Sequence, residues 1–271
     1  MKIFAIINED SPNSVNAYLF YYERQKTFYI ELSQNADEWN TPFVLSSFAK
    51  RNIKTVDFRW SKIWVEQRIV PSDRQNLAQI LKDNQLDNYD VFELLMLTNG
   101  RCAQDNYYLK QINWEQLPLE IKKRKDKEIT DVLAIDKENI LVFFQNGIIK
   151  KCHLSKISHN NPSINVLLEK YPDVVKKVQI QVGGHGVMWD ENIIIPSETL
   201  YKYGQTIPLS KTEFVTFATE RIINVDEAAQ MLNCSRQNIN DLTRRNKLHP
   251  VKRRNNKSVF QKSDIESREW V

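Results

Sequence analysis

The first 32 residues contain three short runs of aliphatic and aromatic side chains, separated by polar segments. Ile, Phe, Tyr and Leu in runs of six or so favour β-strands, because large side chains pack well on a pleated surface. The pattern predicts strands at residues 2–7, 17–22 and 27–32. The polar residues 23–26 predict a tight connection between the second and third strands.

A helical pattern follows. Ser72, with a Gln three residues later, has the spacing of a capping box, and an apolar stripe runs along residues 77–81. A second short helix is predicted at 91–97, ended by Asn99-Gly100 as a left-handed stop. Together these elements predict a compact α+β domain over residues 1–118.

Residues 122–128 are all charged, which favours an exposed connector between domains. Strand-like runs resume after it, and Asn146-Gly147 predicts a hairpin because both residues tolerate positive φ. The pattern predicts strands at 129–135, 139–144, 148–154, 174–182 and 193–195, and helices at 163–170 and 197–201.

The last segment begins with a strong helix start. Asn224 is a suitable N-cap, Glu227 stands at the reciprocal capping-box position, and small apolar residues follow. After a short turn, Ser235 caps a second predicted helix over 236–245. Ile239 and Leu242 are the only large apolar residues of that helix, so we expect them to face the first helix.

Beyond Asn246, a residue suited to a left-handed cap, two short strands are predicted around a basic, Asn-rich tip. The strands cover 248–251 and 258–260, and Lys252 to Lys257 form the tip. Such a hairpin is a wing. A short helix capped by Ser263 is predicted to end the segment, with Ile265 and Trp270 packing against the domain.

Charge separates this last segment from the rest. The chain has 271 residues and a formal net charge of +4, yet residues 221–271 alone carry +5 and residues 1–220 carry −1. A localised basic surface favours a polyanion as partner over a small neutral ligand. A solvated basic tail is the alternative on charge alone.

The side chains of the second helix favour DNA. Arg, Gln and Asn pair bidentately with base edges in the major groove, which admits one α-helix. Side chains from that helix and from the wing are therefore predicted to bind double-stranded DNA: Ser235, Arg236, Gln237, Asn238, Asn240, Arg244, Arg245, Lys252, Arg253, Arg254, Asn255, Asn256 and Lys257. A two-helix hairpin with a solvated outer face is the alternative.

Two family resemblances follow from these motifs. Asp131-Val132, the Asn146-Gly147 hairpin, the Gly186-Val187-Met188-Trp189 run and the Ser197-to-Tyr201 run resemble domain-of-unknown-function family number 2442, over about residues 126–204. That resemblance implies a small bacterial α+β module and no reaction.

The second resemblance covers residues 220–271. Val225 to Ala229, Leu232 to Arg236, Arg244 to Leu248, the basic wing and Ser263 to Glu266 are similar to the excisionase/MerR-type winged helix-turn-helix family. It implies DNA binding by the second helix and the wing, without implying recombination. Asn246 departs from the family, which usually has Gly there.

Catalytic motifs are weak. The sequence has no Walker loop, no His-Glu-x-x-His and no Gly-x-Ser-x-Gly. Gly183 to Gly186, with His185 as a base, is the only suggestive cluster, and a tight strand-to-strand turn is the favoured explanation of it. Three widely spaced Cys and four His have no zinc-ligand spacing, so we expect no metal, no cofactor and a reducing cytoplasm.

The sequence therefore predicts an α+β protein of two small α+β modules (1–118 and 126–204) followed by a winged helix-turn-helix domain (220–271). We expect a cytoplasmic, bacterial-type transcriptional regulator or mobile-element accessory factor that is not an enzyme. Residues 1–204 are expected to bind a second copy or another protein, and no membrane. A nuclease or toxin-like enzyme targeted to DNA, and a protein-binding adaptor, remain alternatives.

Overall fold

The computed structural model describes residues 1–157, 162–170, 172–190, 193–255 and 257–266. Helices and strands are mixed along the chain, and the strands form several small sheets. The predicted α+β class is therefore confirmed. The chain divides into two compact units, one of residues 1–132 with 177–202, the other of residues 133–176 with 203–271.

The first unit is built on a five-stranded sheet of order β4-β3-β2-β1-β5, in which every neighbouring pair is antiparallel. Its strands are β1 (Lys2–Asn8), β2 (Ala17–Tyr22), β3 (Thr27–Leu32), β4 (Thr55–Val56) and β5 (Tyr107–Ile112). The first three confirm the strand predictions. Both faces of β1 to β3 are buried, which explains their nearly continuous apolar sequence.

The sheet is covered by α1 (Phe43–Lys50), α2 (Phe58–Glu66), α4 (Val91–Leu97) and α5 (Leu119–Lys125), each of which buries apolar residues, whereas α3 (Leu77–Asp83) has no buried residue. Asn99 (φ 50°) and Gly100 (φ 70°) end α4 in the left-handed region, as predicted. The predicted cap at Ser72 is wrong. Helix α3 begins at Leu77 after Asn76, because turns closed by hydrogen bonds from Arg74 to Pro71 and from Leu77 to Arg74 occupy the preceding residues.

The predicted exposed connector at 122–128 is also wrong. Its first half is the end of α5, and Lys125 is only 4% exposed. Lys125 Nζ lies 2.7 Å from Glu128 Oε1 and 3.3 Å from Glu31 Oε1. A lysine in a charged run can be buried when an acid elsewhere in the fold, here Glu31, also pairs with it, and the local sequence does not reveal that partner.

A second small sheet of order β11-β10-β9 completes this unit, with β9 (Gln179–Ile180), β10 (Gly186–Met188), β11 (Ile194–Pro196) and then helix α8 (Ser197–Tyr203). The strand predicted at 174–182 is wrong, since residues 172–177 form a 3-10 helix and only two residues are extended. Gly184 (φ 74°) lies where a Cβ atom would meet the backbone of Ile129, so only glycine fits.

The second unit contains a four-stranded sheet of order β12-β8-β7-β6. The elements are β6 (Ile129–Ala134), β7 (Asn139–Phe144), β8 (Ile149–His153), α6 (Leu154–Ile157), α7 (Pro162–Lys170), β12 (Gln205–Ile207) and α9 (Lys211–Arg221). The boundary between the units falls within β6, after Val132. Gly147 (φ 82°) turns the predicted β7–β8 hairpin.

The rest of this unit is a small domain of β13 (Ile222–Asn224), α10 (Val225–Met231), α11 (Arg236–Arg244), β14 (Lys252–Arg254), β15 (Lys257–Gln261) and α12 (Lys262–Glu266). Residues 126–204 contribute to both units, and the three predicted domain boundaries stay predictions. In the described part of the chain, no helix combines the length and hydrophobicity that a membrane crossing requires.

Candidate nucleic-acid interface

A single apolar core holds α10, α11 and the small sheet together. Ile223, Ala228, Ile239, Phe260 and Ile265 are all buried in it, and Leu242 packs against it. Ile239 and Leu242 therefore face inward, as predicted. Small alanines on α10 let the two helices approach closely, and the polar residues of α11 other than the buried Thr243 lie toward the outside.

Side-chain caps begin both helices, and a left-handed residue forms the turn between them. Asn224 caps α10 and Glu227 returns the hydrogen bond, which confirms the predicted capping box. Asn233 adopts φ 46°, a left-handed conformation that Asn tolerates, and reverses the chain. Ser235 Oγ then accepts a hydrogen bond from Asn238 N at 3.2 Å, so α11 begins at Arg236 as expected.

Helix α11 ends one residue earlier than predicted, at Arg244, with Arg245 as its C-cap. Its exposed side chains do not all share one face. At about 100° per residue, four of them fall in a single stripe about 100° wide: Arg236, Gln237, Asn240 and Arg244. Asn238 and Arg245 are exposed too, but lie outside that stripe.

Two arginines of this stripe (the α11 stripe hereafter) are held by acids. Arg236 pairs with Asp226 of α10 and keeps 71% of its side chain exposed. Arg244 Nη1 lies 3.3 Å from Asp241 Oδ1 and the side chain is 79% exposed. Exposed ion pairs cost little to exchange for phosphate or base contacts, while they limit the directions in which the guanidinium groups point.

The basic hairpin differs from its prediction. The first strand was expected at 248–251 with the cations at the tip, whereas Lys252, Arg253 and Arg254 form β14 itself. Leu248 is buried in the core, and Val251 N donates to Val259 O. The pairing with β15 therefore begins at Val251, three residues after the predicted start of the strand at 248. Asn255 (φ 47°) makes the turn. Asn256 lies outside the described residues, as does Trp270.

Strand register distributes the hairpin cations over two faces. Lys252 pairs with Val259, Arg253 with Ser258, and Arg254 with Lys257. Directly opposed side chains share a face and successive ones alternate. Lys252, Arg254 and Lys257 therefore share one face, while Arg253 is on the other with Ser258. All four cations are exposed.

Sequence reasoning missed the surface beside the turn. A depression of about 500 Å³ is lined by Gln230 and Asn233 together with Ser235, Arg236, Asp226, Ala229 and Cys234. Its polar lining continues the α11 stripe onto the end of α10. The signal was present in Gln230, a polar residue that directly follows two buried alanines, but the first helix had been assigned only a packing role.

Two of the remaining predictions can be placed. The last helix begins at Lys262, one residue before the predicted cap Ser263, because β15 passes directly into it; Ile265 is fully buried, as expected. Asn246 adopts φ 53° and closes α11 as predicted, so Asn replaces Gly at a left-handed position.

His185 is a packing residue. Its ring lies 3.7 Å from that of Tyr29, and its Nε2 lies 3.1 Å from the Tyr22 hydroxyl. Burial, assisted by Lys125, holds the pKa of His185 well below its usual value. The structure thus favours the turn interpretation of 183–186. The described residues contain no group of three or more His, Cys, Asp or Glu suited to a metal ion.

Comparison with known proteins agrees with this geometry in one region. Residues 222–268 match a family model described as a helix-turn-helix domain. No curated protein and no solved structure matches the chain, and the resemblance of residues 126–204 to a family of unknown function is not confirmed. Helix-turn-helix domains place their second helix in the major groove. Residues 222–268 thus form a helix-turn-helix domain, which supports DNA binding by this chain.

Proposed function

We propose that this protein is a sequence-specific regulator that binds double-stranded DNA and acts by binding, without a chemical step. In this proposal α11 enters the major groove and the α11 stripe contacts base edges. The hairpin of β14 and β15 acts as a wing on the sugar–phosphate backbone. Transcriptional regulation and mobile-element control are both roles for such a protein.

One observation carries the proposal. On a helix-turn-helix scaffold, the outward face of α11 presents Arg236, Gln237 and Asn240 with no large apolar residue between them. These side chains match guanine and adenine edges in bidentate geometry, whereas a merely solvated helix face has no need of amides and arginines at those positions.

The proposal is tested by selecting bound sequences from a random duplex library with the full chain and with two variants. Arg236→Ala and Gln237→Ala should each weaken binding to the preferred sequence by about 1–3 kcal/mol and relax preference at one or two positions. Lys62→Ala, a change at an exposed lysine on α2, should leave both affinity and preference unchanged.

The two alternatives predict different results. If no salt-dependent DNA affinity appears, the chain is a protein-binding adaptor. If the protein cleaves the selected duplex in a metal-dependent manner that survives Gln237→Ala, the chain is a nuclease for which the helix-turn-helix domain only provides targeting.

We also propose that two copies bind together, since one small domain contacts only a few base pairs. Val215 and Phe217 of α9 are half exposed, and Phe214 of the same helix contacts Phe143. Sedimentation equilibrium with and without the selected duplex tests this idea. A strict monomer in both conditions would contradict it.

A further inference from the structure

An ion pair links the first turns of α10 and α11. Asp226 is the second residue of α10, and Arg236 is the first residue of α11. Oδ1 of Asp226 contacts Nε of Arg236, the guanidinium nitrogen closest to the backbone. Both side chains also line the depression beside the turn, together with Ser235. A carboxylate of the first helix therefore holds the first side chain of the second helix.

This contact leaves the outer edge of the Arg236 guanidinium open. An arginine carries five N–H donors in a planar fork, and Nε supplies only one of them. The side chain is 71% exposed, and the part of the chain that the structure describes provides no acceptor for its Nη1 or Nη2 atoms. An arginine that reads guanine uses two adjacent donors, one for O6 and one for N7. Nη1 and Nη2 form such an adjacent pair, so the edge that Asp226 does not occupy suits guanine.

The Asp226 carboxylate has no task in the cap of α10. Asn224 Oδ1 accepts from the N–H groups of Asp226 and Glu227, and Glu227 Oε2 accepts from Asn224 N. The capping box is therefore complete without the Asp226 side chain. An acid in the first turn interacts favourably with the helix dipole, yet beside a DNA-binding helix its charge repels phosphates. A gain in the placement of Arg236 explains an acid at this position better than helix stability does.

We propose that Asp226 is a positioning residue, which holds the Arg236 guanidinium so that Nη1 and Nη2 meet a guanine in the major groove. The inference rests on the proposed function, because it takes α11 as the helix that enters the groove. A side chain that is held before binding loses less rotamer freedom on binding, and the flexible arginine side chain has much to lose. Asp226 thereby adds specificity for one base pair, while its negative charge lowers the affinity for every sequence.

The experiment uses the full chain and the duplex selected from the random library. Each guanine of that duplex is replaced in turn by adenine, with the matching change in the other strand, and the ratio of dissociation constants gives the preference at that position. One guanine, which the wild type should favour by about 5-fold to 150-fold, should lose its preference in Arg236→Ala. At this guanine, Asp226→Asn should lower the preference by about threefold or more, because the guanidinium is no longer held in place. Asp226→Asn should also bind a random duplex about twofold more tightly, since a repulsive charge is removed.

Two controls separate positioning from general effects of charge and folding. Asp264→Asn removes an equal charge from the first turn of α12, where the side chain is exposed, and should leave the guanine preference unchanged. Asp226→Asn should melt at nearly the wild-type temperature, since exposed ion pairs contribute little to stability. When Asp226→Asn is added to Arg236→Ala, the preference should change no further, because the carboxylate acts through the arginine.

Each contrary result has its own meaning. If Asp226→Asn keeps the guanine preference that Arg236→Ala loses, the positioning role is wrong and the proposed function stands. If the preference for no guanine depends on Arg236, the assigned base is wrong. A further loss in the double variant would show that Asp226 contacts a base itself, as an acceptor for cytosine N4, and would overturn the positioning role. A wild type that selects no sequence would refute the proposed function and the positioning role together.

Discussion

Glu128 shows how one residue can change its chemistry through burial. Its carboxyl contacts Lys125 and lies 3.7 Å from Nε2 of His185, inside the first unit. Burial raises the pKa of Glu128 to about 7, with Lys125 opposing the shift and Glu31 adding to it. Nothing in the charged run around it distinguishes this acid from an exposed one.

The raised pKa predicts a pH dependence of stability. Between its ordinary pKa of 4.5 and about 7, folded Glu128 keeps a proton that the unfolded chain has lost. The contribution of Glu128 to the free energy of unfolding is therefore fully present below pH 4.5 and is lost as pH rises through 7, at no more than about 1.4 kcal/mol per unit.

Glu128→Gln replaces the titrating carboxyl by an amide whose oxygen can still accept a hydrogen bond from Lys125. The free energy of unfolding of this variant, measured by urea titration at pH 5, 6 and 7, should fall less steeply with pH than that of the wild type. Glu115→Gln changes an exposed carboxyl and should follow the wild-type slope. A parallel slope for Glu128→Gln would contradict the raised pKa.

At the scale of the element, the β14–β15 hairpin carries exposed cations and no acidic residue. Lys252 and Arg254 share a face with Lys257, and none of the three forms an ion pair with a described residue. Contacts from such a face to phosphates would be independent of base sequence. The hairpin and the α11 stripe should thus contribute separable parts of binding.

Replacing Lys252 or Arg254 by Ala should weaken binding to all duplexes alike. Each lost phosphate contact should reduce the slope of log affinity against log salt by about 0.9. Arg253→Ala, on the other face, is the internal comparison and should reduce that slope least. If hairpin variants altered sequence preference while Gln237→Ala did not, the roles assigned to the two elements would be reversed.

At the scale of the whole molecule, the helix-turn-helix domain has a core of its own. Ile223, Phe260 and Ile265 bring strand, hairpin and last helix together, and β13 pairs with β15. Helix α9 contacts β13 and α12 and begins with an intact capping box at Ser210. The residues that hold the domain together therefore lie within a short stretch of sequence.

A fragment of residues 209–271 should fold and select the same DNA sequence as the full chain. Circular dichroism with thermal melting gives the folding control, and selection from the same duplex library gives the preference. A folded fragment that binds without preference would show that recognition needs the rest of the protein. The fragment keeps α9 with its half-exposed Val215 and Phe217, so lower affinity with the same preference would show that pairing of two copies needs residues 1–208 instead.

Local sequence determined the elements whose signals are local. The first three strands, the β7–β8 hairpin, the capping box of α10, the Ser235 cap and the left-handed Asn246 all follow from side chains within a few residues of one another. The helix-turn-helix domain was predictable for the same reason, since its motif lies in about 50 consecutive residues and its outward-facing amides follow from helical spacing.

Tertiary structure alone decided what depends on distant partners. Whether Lys125 is buried depends on Glu31, 94 positions earlier, and whether His185 is a base or a packing residue depends on Tyr22 and Tyr29. Burial and charge pairing are properties of spatial neighbours, so a pattern of adjacent residues carries no record of them.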